Sequence, residues 1–296
     1  MRSAAVIGTG LIGTSVALAL TGQGVTTYLQ DRDPEAARTA AALGAGIAAT
    51  PRAPVDLAVV AVPPAHTASV LKEYQDRMLA RFFTDVASVK MRPLMDAASA
   101  GCDLTAYVGG HPMAGRELSG PLAARADLFQ GRTWVLTPSA FSRAEALHHA
   151  TELIELCGGR PVIMGHAEHD RAVALTSHAP HMVASLLAGR LLGAETAQLR
   201  LVGKGLRDAT RIAAGDAGLW ADIIGSNAGP VARVLAELAE ELGTVVAALR
   251  ELDDDSAARP RGKGAAELLT ALARGEEGRL RIVDAERPAD AAQAAR

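Results

Sequence analysis

The sequence has few of the residues that mark several classes of protein. Only two cysteines, Cys102 and Cys157, occur among 296 residues, which argues against a disulfide scaffold and fits a reducing cytoplasm. Aromatic residues make up 3% of the chain, so Trp134 and Trp220 are unusual features. The 30 basic and 33 acidic residues nearly balance, and a net charge of -3 does not favour binding to nucleic acid or a membrane surface.

Long apolar runs and a leader segment are also missing. No apolar stretch reaches the roughly 18 residues that a membrane-spanning helix needs. The first residues run directly into a predicted strand, without the basic and apolar regions of a signal peptide. At 49% hydrophobic residues, the chain is long enough for two domains and a sizeable core. These features predict a soluble cytoplasmic protein with no nucleic-acid or membrane partner.

A glycine-rich motif follows the first predicted strand. The apolar run at 4–7 precedes GTGLIG at 8–13, and a helix of small residues follows at 14–20. This strand, GxGxxG and helix order is typical of dinucleotide binding. Gly8 permits the tight turn, Gly10 lets the backbone approach a pyrophosphate, and Gly13 lets helix and strand pack closely. The alternative, a glycine turn with no ligand, is less favoured because the whole context is present.

Two further strand ends favour NAD as the cofactor. The strand at 26–30 ends at Asp31, where a carboxylate can bind a ribose diol and repel a 2′-phosphate. Arg32 could instead accommodate a phosphate, and Asp31 could be a solvated turn residue, but NAD remains the better prediction over NADP. The buried strand at 56–62 ends where ligands bind in open sheets. The predicted cofactor-binding residues are Gly8, Gly10, Leu11, Ile12, Gly13, Asp31, Val62 and Pro63.

Alternating strands and helices predict a Rossmann-like α/β domain over residues 1–166. An all-α helical domain for substrate binding and dimerisation is predicted over 167–275, followed by a mobile tail at 276–296. Its apolar helix faces are too extensive for so few helices, which predicts a homodimer. The predicted helices there are 167–192 (kinked or broken at Pro180), 194–214, 217–226, 230–252 and 265–273, with a charged linker at 253–263.

A histidine within a run of glycines is the strongest candidate for catalysis. Gly109, Gly110, Gly115 and Gly120 surround His111, which predicts a glycine turn with open space beside the ring. A histidine held there could move a proton near neutral pH. The alternative is a purely structural histidine in a glycine turn.

Other polar residues stand in apolar surroundings. Ser88 follows a predicted strand and could bind a substrate hydroxyl or the nicotinamide, or could be a simple turn serine. His178 and His181 share a helix face, but no carboxylate or cysteine completes a set, so we expect no metal.

A cationic stripe lies further along the chain. Lys204, Arg207 and Arg211 follow helical spacing and could bind a carboxylated substrate, or could form a solvated face with Asp208 as partner. The remaining histidines are expected at the surface or at helix ends: His148, His149, His166 and His169.

These motifs together resemble the prephenate dehydrogenase family, which includes arogenate and 4-amino-4-deoxyprephenate dehydrogenases. The resemblance covers about residues 4–250, and GGHPMAG with the stretch around Trp220 is its most specific part. The motifs are GTGLIGTS (8–15), VDLAVVAVPP (55–64), TDVASVK (84–90), GGHPMAGRELSG (109–120), LFQGRTWVLTP (128–138), SHAPH (177–181) and LRDATRIAAGDAGLWADI (206–223).

The resemblance implies a reaction and roles for site residues. Hydride leaves C4 of a cyclohexadiene for NAD, CO₂ departs, and the ring becomes aromatic. It implies that His111 is the catalytic histidine and that Ser88 orients the substrate hydroxyl. It also implies that His178 lies at the substrate, that Arg211 binds a substrate carboxylate, and that Arg207 supplies a further basic group. The chain resembles forms without a regulatory ACT domain, so feedback inhibition by tyrosine through such a domain is not expected.

Three alternatives remain at this stage. An enzyme of the same chemistry could act on a C4 amine, as in 4-amino-4-deoxyprephenate, or on the alanyl side chain of arogenate. A β-hydroxyacid dehydrogenase or imine reductase shares the same plan, but it usually has a lysine four residues before an asparagine, whereas Lys204 precedes Asp208. A non-catalytic NAD-binding protein would leave Ser88, His111 and Arg211 without a joint role.

Overall fold

The computed structural model describes residues 1–115, 118–254 and 262–286. It contains two compact units, Met1–Val231 and Ala232–Arg296. The first unit opens with a sheet of seven strands, in which short apolar segments alternate with helices as the sequence predicts. The strands are β1 (Ser3–Ile7), β2 (Thr26–Gln30), β3 (Val55–Val60), β4 (Ala80–Asp85), β5 (Tyr107–Pro112), β6 (Thr133–Thr137) and β7 (Arg160–Ile163).

The strand order creates a crevice at one edge of the sheet. The order is β2-β1-β3-β4-β5-β6-β7, and every neighbouring pair is parallel except β5 with β6. Because β1 lies between β2 and β3, the chain direction across the sheet reverses there, and the carboxyl ends of β1 and β3 adjoin, with Ile7 opposite Val60. Such a reversal is where open α/β sheets bind ligands.

Both faces of the central strands β1 and β3 are buried, which explains why these two strands are almost continuously apolar. Alternate residues of β1 enter different cores: Val6 packs with α1 (Leu11–Gly22) and α5 (Ala144–Leu156), whereas Ile7 packs with α3 (Pro64–Asp76) and α4 (Met91–Ser99). A parallel sheet covered on both faces needs this continuous apolar pattern instead of alternation. Helix α2 (Pro34–Ala42) begins after Asp33, whose side chain accepts from the backbone of Glu35.

The predicted helix at 167–192 is present but is not a regular α-helix. Helix α6 (His166–Val173) runs into one π-helical turn, Ala174–His178, and then into α7 (Ala179–Gly189). Pro180 lacks the N–H that a regular helix would donate, and the wider π turn directly before it accommodates that loss. The proline therefore reshapes the helix without ending it.

The predicted helix at 194–214 is wrong as a single element. It consists of α8 (Thr196–Leu199), α9 (Lys204–Thr210) and a 3-10 turn at Arg211–Ala214. Gly203 lies directly before α9 in extended conformation, which separates the two helices. Helix α10 (Ala217–Ser226) has the predicted bounds, and Asp216 caps it by accepting from the backbone of Leu219.

The described part of the second unit consists of most of α11 (Ala228–Asp254) and of α12 (Lys263–Glu286). Helix α12 is longer than the predicted 265–273, because good helix formers such as Glu276, Glu277 and Arg279 continue it through a stretch expected to be tail. Residues 287–296 of that expected tail, and most of the expected linker at 253–263, lie outside the described residues.

No helix in the described part of the chain combines the length and apolar character needed to cross a membrane.

Candidate active site

The glycines of the first turn have separate roles in the structure. Gly8 has a φ of +96° and lies against the carbonyl of Ala61, so a side chain would overlap that backbone. A Cβ on Gly13 would overlap the Gly8 carbonyl. In contrast, a Cβ on Gly10 would meet nothing within 4 Å. Packing therefore explains the glycines at 8 and 13, while the space above Gly10 is open for a ligand at the start of α1.

Asp31 closes the other side of this crevice. Its Oδ2 accepts from the backbone N–H of Thr9 at 2.6 Å and from the Thr9 hydroxyl at 2.8 Å, and its Oδ1 accepts from the backbone N–H of Asp33. The carboxylate thereby orders the glycine turn. Pro63 directly precedes α3, and Val62 packs beside Gly8 at the end of β3. The predicted cofactor residues thus meet at the carboxyl ends of β1, β2 and β3.

His111 lies in a strand and not in the predicted glycine turn, so that prediction is wrong. It belongs to β5 and lies opposite Val135 of β6. Gly109 and Gly110 are needed for close packing instead: a Cβ on Gly109 would be 2.6 Å from Thr137 Oγ1, and one on Gly110 would be 2.6 Å from the Asp85 carbonyl oxygen. The two glycines let β5 approach its neighbours, and this fixes the position of the histidine.

A buried charged cluster lies beneath this strand. The Lys90 ammonium pairs with Asp85 and also donates to the carbonyl of Gly110, while Tyr107 donates its hydroxyl hydrogen to Asp85. Burial lowers the pKa of Lys90, and the Asp85 carboxylate opposes that shift. Burial, followed by the Asp85 charge, raises the pKa of Tyr107 well above its ordinary value. Lys90 therefore tethers the residue directly before His111.

A chain of hydrogen bonds leads away from His111. Its Nδ1 lies 2.8 Å from Nε2 of His169, and Nδ1 of His169 lies 2.8 Å from Oδ1 of Asp170. The Asp170 carboxylate also accepts from the backbone N–H groups of Lys90 and Met91, at 2.8 and 2.9 Å. These contacts join β5, α6 and the start of α4 in one network.

A second histidine is held by the helical elements. Nδ1 of His178 lies 3.1 Å from Nδ2 of Asn227, which also donates to the backbone carbonyl of Asp170 at 2.8 Å. The His181 ring stacks on Trp220, with centroids 3.6 Å apart and an interplanar angle of 12°. Trp220 also meets the His178 ring edge-on, at 6.3 Å. The structure therefore brings the predicted histidine pair and Trp220 together.

Burial governs the protonation of both site histidines. Desolvation, followed by the charges of His169, Lys90 and His178, lowers the pKa of His111 well below its ordinary value. Desolvation also lowers the pKa of His178 to about 4, although Asp170 opposes that shift. The expectation that His111 titrates near neutral pH is thus corrected: both rings are neutral at pH 7, so each carries one N–H and one bare nitrogen.

The other predicted site residues lie at defined places in the first unit. Ser88 is half-buried in the loop between β4 and α4, directly before the Lys90 segment. Arg207 is exposed on α9, and Arg211 is exposed at the start of the 3-10 turn; both segments pack against α7.

The prediction for His169 was wrong, and three partners of the network were missed. His169 is only 1% exposed and lies within α6, whereas the sequence predicts it at the surface or at a helix end. Asp170 is 2% exposed, and Lys90 and Asn227 are likewise buried. A signal was present for His169 and Asp170: they stand four residues before the buried Val173 and Ala174, so they share the apolar face of this helical segment. Nothing comparable marks Asn227.

Comparisons with known proteins cover both halves of the chain. A family model described as prephenate dehydrogenase, nucleotide-binding domain, matches residues 16–163, and one described as prephenate dehydrogenase, dimerization domain, matches 166–260. The probable prephenate dehydrogenase NovF of Streptomyces niveus is 45% identical over 95% of this chain and 78% of its own length. The cyclohexadienyl dehydrogenase of Zymomonas mobilis is 34% identical over 85% of this chain and 89% of its own.

The fold is also shared with a solved structure. Prephenate dehydrogenase from A. aeolicus, in complex with hydroxyphenyl propionate and NAD+, superposes with a TM-score of 0.80 at 26% identity. The alignment covers 95% of this chain and 98% of the other.

Proposed function

Because the chain belongs to the prephenate dehydrogenase family, we propose that it oxidises and decarboxylates prephenate to 4-hydroxyphenylpyruvate. It is an NAD-dependent dehydrogenase, as the nucleotide-binding domain and the NAD+ complex of the A. aeolicus relative support. The observation that carries the proposal is the neutral, hydrogen-bonded His111 at the end of β5, beside the sheet edge that holds the dinucleotide crevice.

The positions of the glycines in the crevice are compatible with bound NAD. The space above Gly10 admits a pyrophosphate at the N-terminus of α1, where N–H groups and the helix dipole favour an anion. Asp31 lies at the end of β2, where its carboxylate would bind the ribose diol and disfavour a 2′-phosphate. When bound, NAD accepts the hydride that leaves C4 of the substrate.

His111 supplies the proton acceptor for this oxidation. As hydride leaves C4, the hydroxyl oxygen becomes that of a protonated carbonyl and turns strongly acidic, so even a histidine of lowered pKa can take its proton. Loss of CO₂ then returns the electron pair to the ring, and the protonated His111 can give its proton to the forming phenolate. The proton count balances: one proton leaves the hydroxyl, and one returns to the phenol.

The remaining residues bind and orient the substrate in this proposal. Ser88 follows β4 and would orient the C4 hydroxyl, and His178 would contact the same end of the ring. Arg211 would bind a substrate carboxylate, with Arg207 as a second cation.

We also propose a homodimer formed by the 167–275 domain, because Leu192 and Leu201 are 93% and 84% exposed and the matching family model is described as a dimerization domain. A monomer mass by light scattering would contradict that assembly.

Replacement of the histidine tests the proposed base. His111→Asn should lower kcat for prephenate by about 10²- to 10⁴-fold, because proton transfer loses its acceptor, and it should leave the Kd for NAD near normal. The matched control is His148→Asn, which changes an exposed histidine of α5 and should leave both constants unchanged. Near-normal turnover by His111→Asn would remove His111 as the base.

A further inference from the structure

His111 and His178 each have their Nδ1 in contact with a neighbouring polar side chain. His111 Nδ1 meets Nε2 of His169, and His178 Nδ1 meets the amide nitrogen of Asn227. A neutral imidazole has one N–H and one bare nitrogen, so the partner at Nδ1 decides what Nε2 can do. The identity of those partners therefore determines which atom each ring offers to a ligand.

The partner of His111 is itself oriented by a carboxylate. Although burial opposes ionisation, the hydrogen bond from His169 and those from the backbone N–H groups of Met91 and Lys90 lower the pKa of Asp170. An ionised Asp170 only accepts, so the proton of a neutral His169 stands on its Nδ1. Nε2 of His169 is then bare, and His111 must be the donor in the 2.8 Å contact between the rings.

The contact between the two rings lies away from solvent and close to another buried charge. The His169 ring is only 1% exposed, and the buried ammonium of Lys90 already donates to the carbonyl of Gly110, directly before His111. A second buried cation between these groups would be costly unless fully paired. The Asp170 carboxylate is already satisfied in part by two backbone N–H groups, which reduces its need for a cationic partner.

The partner of His178 has the opposite effect. Nδ2 of Asn227 donates to the backbone carbonyl of Asp170 at 2.8 Å, which identifies that atom as the amide nitrogen. The same nitrogen can only donate to His178, so Nδ1 of His178 is bare and its proton stands on Nε2.

We propose that His169 with Asp170, and Asn227 on its own, are positioning residues that hold His111 and His178 in opposite tautomers. His111 presents a bare Nε2 that accepts a proton, and His178 presents an Nε2–H that donates a hydrogen bond. This proposal rests on the proposed function for the identity of the reacting group. A hydroxyl at C4 can satisfy both rings, since it donates to one and accepts from the other. An ammonium at C4 has no lone pair to accept from His178, so the pair of tautomers favours a hydroxyl substrate.

Nitrogen-15 NMR of the histidine rings tests the tautomers directly on the whole protein without substrate. Signals are assigned by their loss in His111→Asn and His178→Asn. At neutral pH we expect His111 to be protonated at Nδ1 and His178 at Nε2, and we expect Asp170→Asn to give His111 a mixture of tautomers. A doubly protonated His169, with His111 protonated at Nε2 in place of Nδ1, would overturn the proposal.

Kinetics provide the second readout. Asp170→Asn should lower kcat by about 10²- to 10⁴-fold without weakening NAD binding, whereas Asp76→Asn, an exposed change on α3, should have no effect. His169→Gln keeps an acceptor for His111 and should retain more activity than His169→Leu. Normal kcat in Asp170→Asn would overturn the positioning role.

The pH profile separates positioning from structural damage. The titratable groups that face His111 are His169 from α6, Lys90 from the start of α4 and His178 from the π turn. Without the negative charge of Asp170, the protonated form of the network of His111 and His169 is less stable. The acid limb of the plot of kcat against pH should therefore move to lower pH. A collapsed site would admit water and move that limb upward toward the ordinary pKa of histidine, which would contradict the proposal.

The two claims fail in different ways. If His111→Asn keeps its turnover, the proposed base is wrong whatever the NMR shows. If His111→Asn is inactive while Asp170→Asn is normal, the base stands and only the positioning role is lost.

Discussion

At the residue scale, the site depends on side chains whose charge is controlled by burial. Lys90 shows the cost of this arrangement: the residue is 2% exposed, and its ammonium is compensated by Asp85 and the carbonyl of Gly110. Removal of one partner from such a buried pair leaves an uncompensated charge. The sequence places Lys90 next to a strand end, but pairing with Asp85 depends on the fold, and no spacing rule predicts it. The contact of Asn227 with His178 also depends on the fold, because 49 residues of sequence separate the two side chains.

Arg211 gives a prediction at this scale. Arg211→Ala should raise KM for prephenate by about tenfold to a hundredfold, because a charge-assisted hydrogen bond to a carboxylate contributes ~1.5–3 kcal/mol. Steady-state kinetics on the variant measure the change, and kcat should fall much less. Arg200→Ala, an exposed arginine just after α8, is the matched control. An unchanged KM in Arg211→Ala would place the substrate carboxylate elsewhere.

At the element scale, the strands and most helices follow from local pattern. The strand at 55–60 is buried and almost continuously apolar, and Asp216 and Asp33 cap helices as short polar residues do. The glycine pair at 109 and 110 misled the prediction, since glycine serves both turns and close packing. Only the positions of Thr137 and Asp85 around the strand distinguish the two uses, and these are long-range contacts.

The glycines also give a prediction that separates ligand binding from packing. Gly10→Ala should leave thermal stability unchanged and weaken NAD binding by about tenfold or more, since its Cβ has open space in the protein but would face the pyrophosphate in the proposed complex. Gly110→Ala should destabilise the fold by about 1–3 kcal/mol, because its Cβ would crowd the Asp85 carbonyl. Thermal melts and NAD titrations measure both effects.

Gly115→Ala is the control for this pair, because its Cβ would meet nothing within 4 Å and its φ is not positive. Equal NAD affinity in Gly10→Ala and Gly115→Ala would contradict the assignment of the open space to the cofactor.

At the scale of the whole molecule, buried neutral histidines couple stability to pH. The pKa of His178 falls from 6.5 to about 4 on folding, so between those values the unfolded chain binds a proton that the folded chain does not. Stability therefore rises with pH across this window and is lost as the pH falls through it. Burial lowers the pKa values of His111, His166 and His181 as well, which adds to the same trend.

The expected outcome is a melting temperature that decreases steadily from about pH 6.5 to about pH 4, by the linkage of proton binding to folding. His178→Asn should make the decrease shallower, and His148→Asn should leave it unchanged. A melting temperature that stays flat across that window in the wild-type protein would contradict the burial of neutral histidines.

The most direct test of the central claim is NADH formation by the purified protein with NAD and, in separate reactions, prephenate, arogenate and 4-amino-4-deoxyprephenate. We predict clear turnover of prephenate, with 4-hydroxyphenylpyruvate and CO₂ as products, and a marked preference over the C4 amine. Preference for the C4 amine would contradict both the proposed substrate and the match of the two histidine tautomers to a hydroxyl. Preference for arogenate would change only the assigned side chain, and no NADH with any of the three would contradict the proposed reaction itself.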